Sequence, residues 1–416
     1  MRGGKPPLFY CINTYEFKEF YIILFDTDTI MRPKSFFING GAGRVICSIP
    51  ALEKYQEEHP DEDFVIVCEG GTDFFKGHPT LYDKVFDHWH KGLFQDKIKH
   101  TDIQTPEPYR VWEYYNQKCN LSQAFDICIN GKGIRELQRP KIKLSREEEI
   151  AGLFIVEEVR QRTNKKKTVV FQPFGRGVNT AGNIIADNSG RSFEYSNTIN
   201  IIKKLQKKYS VVLISEIEID FEKEGFTETV SHPKQMPLRN LAGAIKAADL
   251  FLGCDSVGQH IAYAFDTPSV VVVGSTFGEN ISYPDYEKFS VMDMGGDLRV
   301  YDPIRISIDE YTSRNNDRIM AMNDKVENAI LKEVDVYMNK YYKKPTFEVK
   351  LPQEMMQPLG PSPEQMAEMQ KSMPTPTFSG NGKKSNNPNL IPALMSEAGV
   401  TPDPLKSVTG FKSSKK

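Results

Sequence analysis

Short runs of apolar, β-branched or aromatic residues recur along the chain at 35–38, 64–68, 125–129, 168–172, 211–215, 249–253 and 269–273. Strands covered by helices on both faces have this signature, because neither face alternates with polar residues. Between the runs, apolar positions return at helical spacing and predict helices over 45–58, 147–162, 195–208, 238–248 and 256–265. Strand and helix alternate, so parallel sheets joined by right-handed crossovers are expected. A last helix, near 324–342, sets Val326, Ala329, Ile330, Val334 and Met338 on one stripe that should pack onto the fold.

Length turns this into two domains. The 416 residues exceed one ordinary core, since single domains cluster at roughly 100–200 residues. The first is expected over 31–160 and the second over 161–343, divided where a long charged helix meets the basic turn Thr163-Asn164-Lys165-Lys166-Lys167. Residues 1–30 form an extension: an extra strand or hairpin, or a start codon lying upstream of the true one at Met31. From 344 to 416, Pro, Ser, Met, Asn and Lys dominate without regular periodicity. That composition reads as a disordered tail, either a solubilising extension or a segment that recruits a partner.

Charge and cysteine usage narrow the class. The 53 basic and 55 acidic residues nearly cancel, with no long run of either sign, which argues against an electrostatic grip on nucleic acid or membrane. Six scattered cysteines form no CxxC pair and no metal-ligand spacing, so buried thiols in a reducing cytoplasm are expected, with no metal. Residues 8–30 carry Glu16, Lys18, Glu19, Asp26 and Asp28, which interrupt any signal-peptide or transmembrane stretch.

Ligands of open parallel sheets bind beyond the carboxyl ends of the strands, and three such junctions stand out. The first is the glycine turn Asn39-Gly40-Gly41-Ala42-Gly43-Arg44, which would let backbone approach a ligand at a helix start or would simply be a tight turn. The second pairs Gln172-Pro173-Phe174-Gly175-Arg176-Gly177 with Gly190-Arg191-Ser192-Phe193; Arg176, Arg191 and Ser192 suit a diphosphate, or are solvated loop residues. The segment 179–189 between them reads as a mobile flap. The third is Asp255-Ser256-Val257-Gly258-Gln259-His260, opening a helix after a buried strand. Asp255 is a natural N-cap, Ser256 falls in the first turn, and His260 shares a face with Ser256 where phosphate or ribose would sit.

The segments Leu238-Arg239-Asn240-Leu241-Ala242-Gly243-Ala244-Ile245, Ala248-Asp249-Leu250-Phe251, Asp255-Ser256, His260, Thr267-Pro268 and Gly274-Ser275-Thr276 resemble the donor-domain signature of heptosyltransferase-like glycosyltransferases, family 9. The first half is similar too, through the glycine turn, Ile49-Pro50-Ala51-Leu52 and Glu57-Glu58-His59-Pro60-Asp61. The resemblance implies a GT-B fold, in which two Rossmann-like parallel-sheet domains face a cleft. It implies inverting, metal-independent transfer of a sugar from a nucleotide-diphosphate donor to an acceptor such as a glycan. By the same resemblance Asp255, Ser256, Val257 and His260, with Gly258 in the same run, would contact donor phosphates and sugar, and Met236 would lie near the base. The final helix would cross back towards the first domain. Glu216 is a candidate for the ribose hydroxyls, since a carboxylate can accept from both.

One departure stands out. The family places an acidic base on the acceptor hydroxyl where this chain has Arg44, and a guanidinium does not take a proton near neutral pH. Glu69, Asp73 and Asp102 are substitutes by position alone. A catalytically silent GT-B scaffold is the rival reading. A Rossmann-type oxidoreductase ranks lower, because no GxGxxG with a following acidic residue occurs. Acceptor contacts would come from 70–78 and 91–115, where Trp89, Tyr109, Trp112, Tyr114 and Tyr115 either stack on a sugar or pack between helices.

Overall fold

The computed structural model describes residues 32–175, 177–181, 184–187, 189–233, 236–296, 299 and 318–343. The expectations for residues 1–30, for the tail 344–416 and for Arg176 lie outside the described residues.

The first domain is built on β1 (Lys34–Ile38), β2 (Phe64–Cys68), β3 (Val85–Asp87) and β4 (Asp102–Gln104), parallel throughout in the order β3-β2-β1-β4. Helix α1 (Ala42–Glu58) covers this sheet with Val45, Ile46, Ile49 and Leu52, all fully buried beside Phe36 and Phe64. It begins one turn earlier than the apolar spacing predicts, so Gly43 and Arg44 belong to its first turn rather than to the loop.

The run at 125–129 is not a strand. It lies in α2 (Leu121–Asn130), which starts at a capping box: the Asn120 side chain accepts from Gln123 N, and the Gln123 side chain accepts from Asn120 N. A short apolar run cannot separate a buried strand from one side of a helix. Leu121, Ala124, Phe125 and Ile129 recur at helical spacing, and together with the cap they settle the matter.

The second domain holds six parallel strands in the order β12-β11-β10-β5-β8-β9. They are β5 (Thr168–Gln172), β8 (Ser210–Leu213), β9 (Val230–Ser231), β10 (Leu250–Cys254), β11 (Ser269–Val273) and β12 (Phe289–Asp293). The segment read as a flap is an antiparallel ribbon, β6 (Val178–Ala181) with β7 (Ile184–Asp187). The longer helices are α3 (Arg146–Thr163), α4 (Tyr195–Leu205), α5 (Leu238–Ala247), α6 (Val257–Ala264) and α7 (Asp324–Tyr341).

Helix α7 packs on β10, β11 and β12 through Ile330, Val334 and Met338, with Val326 partly buried against the same core. Ala329 falls off the expected stripe and is exposed. Within its described length the helix stays on the second sheet rather than crossing back.

Helix α3 packs chiefly against α5, and also against β8 and β9. Its contacts place it with the second sheet, although the expected boundary at 160/161 falls inside it. Arg239 on α5, 5% exposed, ties this pair to the first domain: it donates to both Glu148 oxygens (2.6 and 2.7 Å), to Asp73 O (2.7 Å) and to Lys143 O (2.6 Å).

The two helices touch backbone to backbone. A Cβ on Gly243 would stand 2.5 Å from Glu148 O, and one on Gly152 would overlap the Gly243 carbonyl carbon. An exposed helical Gly→Ala change gains about 0.5–1 kcal/mol, whereas overpacking costs about 1–3 kcal/mol. Gly152→Ala should therefore lower stability in denaturant melts; an unchanged or raised midpoint would contradict the close packing.

Candidate functional site

The carboxyl ends of both sheets meet at two helix starts. In the first domain, Gly40 (φ +90°) turns the chain out of β1 with a conformation that needs glycine, and Gly41 occupies the N-cap of α1 without a side-chain bond. The exposed carboxylate of Glu69, at the end of β2, accepts from Gly40 N at 2.5 Å. No acidic residue occupies the first turn of α1.

In the second domain β10 ends at Cys254 and α6 begins at Val257. Asp255 is not the N-cap; Ser256 holds that position and makes no cap bond of its own. The cap comes instead from Gln172 at the end of β5, whose Oε1 accepts from Gly258 N (3.0 Å) while its Nε2 donates to Ser256 Oγ (3.2 Å). A Cβ on Gly258 would overlap that Gln172 oxygen, so the glycine admits the cap.

Asp255 is 2% exposed and accepts from Thr276 Oγ1 and Gln259 Nε2, both at 3.0 Å. Burial raises its carboxyl above the usual range, against the pull of Arg191, whose Nη1 lies 3.9 Å from Asp255 Oδ2. Burial alone would lower the Arg191 guanidinium, but the Asp255 and Asp187 charges outweigh it and hold it higher. Arg191 Nε donates to Ser189 Oγ (3.1 Å). Ser192 donates its hydroxyl to Asp187 (2.5 Å) and accepts from Gly175 N (2.9 Å), so this hydroxyl is already engaged in holding the loop. Ser275 completes the support, donating to Ser189 O (2.5 Å).

His260 is 3% exposed and faces the first domain. Its Nδ1 lies 2.9 Å from the Tyr283 hydroxyl and 3.4 Å from Cys47 Sγ on α1. Burial pulls the imidazole down to about 4, pushes the Cys47 thiol up to about 12 and raises Tyr283 well above its usual value. At neutral pH the imidazole is therefore neutral and both neighbours are protonated; a hydroxyl can donate to Nδ1 or accept from it, so the ring's tautomer follows the direction of the Tyr283 bond. A Cβ on Gly43 would meet His260 Cδ2 at 3.2 Å and Val257 Cα at 3.8 Å, so the starts of α1 and α6 are in direct contact.

Of the residues singled out in the sequence, Gly40, Gly41, Gly43, Val257, Gly258, His260, Arg191, Ser192, Asp255 and Ser256 belong to this constellation. The others lie outside this set of contacts. Glu216 is exposed beyond the end of β8, and Met236 packs partly buried against the core ahead of α5. Asp102 pairs with Lys34 at the start of β4, the opposite edge of the sheet from the glycine turn. Asp73 is exposed and paired with Lys76 at 2.5 Å. Among the aromatics, Trp89 and Trp112 are exposed, whereas Tyr114 is core.

Four contributors were not legible as site residues: Gln172 as a cap, Cys47 and Tyr283 around the histidine, and Glu107. The last sits just past β4, where its Oε1 accepts from Asn39 Nδ2 at 3.1 Å. Only a correct reading of β4 would have revealed Glu107, and that strand has no apolar run to betray it.

No described helix is long and apolar enough to cross a membrane, and no cluster of three or more His, Cys, Asp or Glu side chains among the described residues is placed to hold a metal ion.

The sequence matches no family model and no curated protein. Among solved structures, the fold is similar to a glycosyl transferase of family 9 from Veillonella parvula, at a TM-score of 0.52 and 12% identity over 74% of this chain and 98% of that one. The fold is that of the family 9 glycosyltransferases. Also similar are the ADP-heptose lps heptosyltransferase II of E. coli (TM-score 0.44, 10% identity, 74% of this chain and 99% of that one) and the E. coli heptosyltransferase WaaC with ADP (0.42, 14%, 73% and 99%). In this GT-B arrangement the Asp255–His260 run and the glycine turn are the two lips of the cleft between the sheets.

The buried histidine sets an acid limit on this arrangement. Its folded pKa lies below the value of about 6.5 for an unfolded chain, so the unfolded state takes up the proton first. The stability it contributes is complete above about pH 6.5 and is lost as pH falls towards 4, amounting to about 3 kcal/mol. His260→Gln should flatten that part of the stability–pH curve between pH 7 and 4.5, read as the difference in melting temperature from wild type. Parallel curves for the two proteins would sink the assignment.

Proposed function

We propose that the protein is a glycosyltransferase that moves a sugar from a nucleotide-diphosphate donor, with inversion and without an obligatory metal. The observation that carries this is the meeting of two helix starts, with Arg191 between Asp187 and Asp255, at the carboxyl ends of both parallel sheets. Helix starts offer partial positive charge and N–H groups, and a guanidinium adds a fork of donors matched to phosphate oxygens.

In this reading Arg191 and the α6 start take the diphosphate. With Tyr283 donating to Nδ1, the Nε2–H of neutral His260 donates towards phosphate or sugar, and Asp255 orients the loop rather than touching the ligand. Glu216 would serve the ribose hydroxyls and Met236 the base. Arg191 and the helix starts stabilise the charge that builds on the departing diphosphate, the task a metal performs elsewhere. Inversion follows from a single displacement, in which the acceptor oxygen attacks the anomeric carbon opposite the leaving diphosphate.

A panel of UDP-, ADP- and GDP-sugars, titrated calorimetrically with and without chelator, tests this. At least one donor should bind, chelator should not weaken it, and Arg191→Ala should cost roughly tenfold to hundredfold in affinity through lost charge-assisted hydrogen bonds. Failure of every donor to bind would end the reading. Donor binding without turnover on any acceptor would leave a nucleotide-sugar-binding scaffold.

A further inference from the structure

Arg44 occupies the first turn of α1, next to Gly43, and it forms no ion pair among the described residues. Its guanidinium lies 4.9 Å from the centre of the Tyr109 ring and 5.7 Å from that of Phe125. Its Nε and Nη2 are shut off from solvent without a hydrogen-bond partner, as is Asn39 Oδ1 at the head of the same turn. An unmet buried donor is costly, and two aromatic faces offset that only in part. Glu69 accepts from Gly40 N and Glu107 from Asn39 Nδ2, and neither pairs with Arg44. The α1 start has neither a side-chain cap nor an acidic first-turn residue, and the Glu69 carboxylate on Gly40 N lies just ahead of it.

The position is also close to the chemistry. Gly43, one residue before Arg44, lies on His260 and Val257 of the donor-side helix. A guanidinium here does not accept a proton, but it binds and orients an oxyanion well.

We propose that the acceptor presents an oxyanion, a phosphate monoester or a carboxylate, to Arg44 and the glycine turn, and that this oxyanion is the attacking nucleophile. The inference rests on the donor reading above. An acceptor oxygen forms the bond to the anomeric carbon as the bond from that carbon to the diphosphate oxygen breaks, and the nucleoside diphosphate leaves with the electron pair. The nucleophile enters already ionised, so no group has to take up a proton. A base where Arg44 stands is not needed.

The test uses the full chain with whichever donor binds in the panel, and offers methyl phosphate, glucuronate or neutral methyl glucoside as acceptor, with products identified by NMR. The phosphate or the carboxylate arm, whichever source the site prefers, should exceed the neutral glycoside in kcat/KM. Arg44→Ala should lower that value by about tenfold or more, Arg44→Lys should fall between, and nucleoside diphosphate affinity should stay within about twofold of wild type, which also certifies folding. Preference for the neutral glycoside, indifference to Arg44→Ala, or no transfer to either charged acceptor by a donor-bound chain would each overturn the proposal. Failure of donor binding is read separately by calorimetry and counts against the transferase reading instead.

Discussion

The contact between Gly43 and His260 is the constraint on which the site depends. A residue with any side chain at 43 would press on the imidazole, and a protonated imidazole would be stranded beside Tyr283 and Cys47 with no counter-charge in contact. The small residue and the neutral ring together let two helix starts approach at the mouth of both sheets. Neither sheet alone would produce it. The Arg239 cluster serves the same seam from a different side, joining α5 to the Asp73 and Lys143 carbonyls of the first domain, and Asn280 adds bonds to the Tyr114 and Cys119 carbonyls.

The molecule departs from a simple capping picture at the donor-side helix. An N-cap side chain normally satisfies its own helix, but here a glutamine from a neighbouring strand does so, and the residue expected to cap is buried behind it. Gln172, the last residue of β5, holds Ser256, and Thr276, just past β11, holds Asp255, so the loop after β10 is braced from both sides. Such cross-bracing keeps a loop rigid where a ligand's charge must be met without reorganisation.

Much of the architecture was readable in the sequence because the strands of a doubly covered sheet have to be apolar on both faces: 168–172 and 269–273 match β5 and β11 residue for residue. At 125–129 a buried apolar run fits strand and helix alike, and the Asn120–Gln123 capping box is the signal that separates them. Strands β3 and β4, three residues each and partly exposed, carry no such pattern. The site was legible as runs of glycine and small polar residues after strands, but not as partnerships. Which hydroxyl is engaged, which arginine is left without a counter-ion and which histidine is neutral depend on residues far apart in sequence, as with His260 and Cys47.

The ribbon of β6 and β7 ends at Asp187, and that carboxylate also receives Ser189 and Ser192. Burial would raise Asp187, but these four hydrogen bonds prevail and keep it low, so it remains an anion beside Arg191. Ribbon and arginine thus share one anchor. The balance of charge around Arg191 is set partly by a strand ending, and a shift of the ribbon's last residue would be felt as a change in the field at the cleft rather than only as a change in shape.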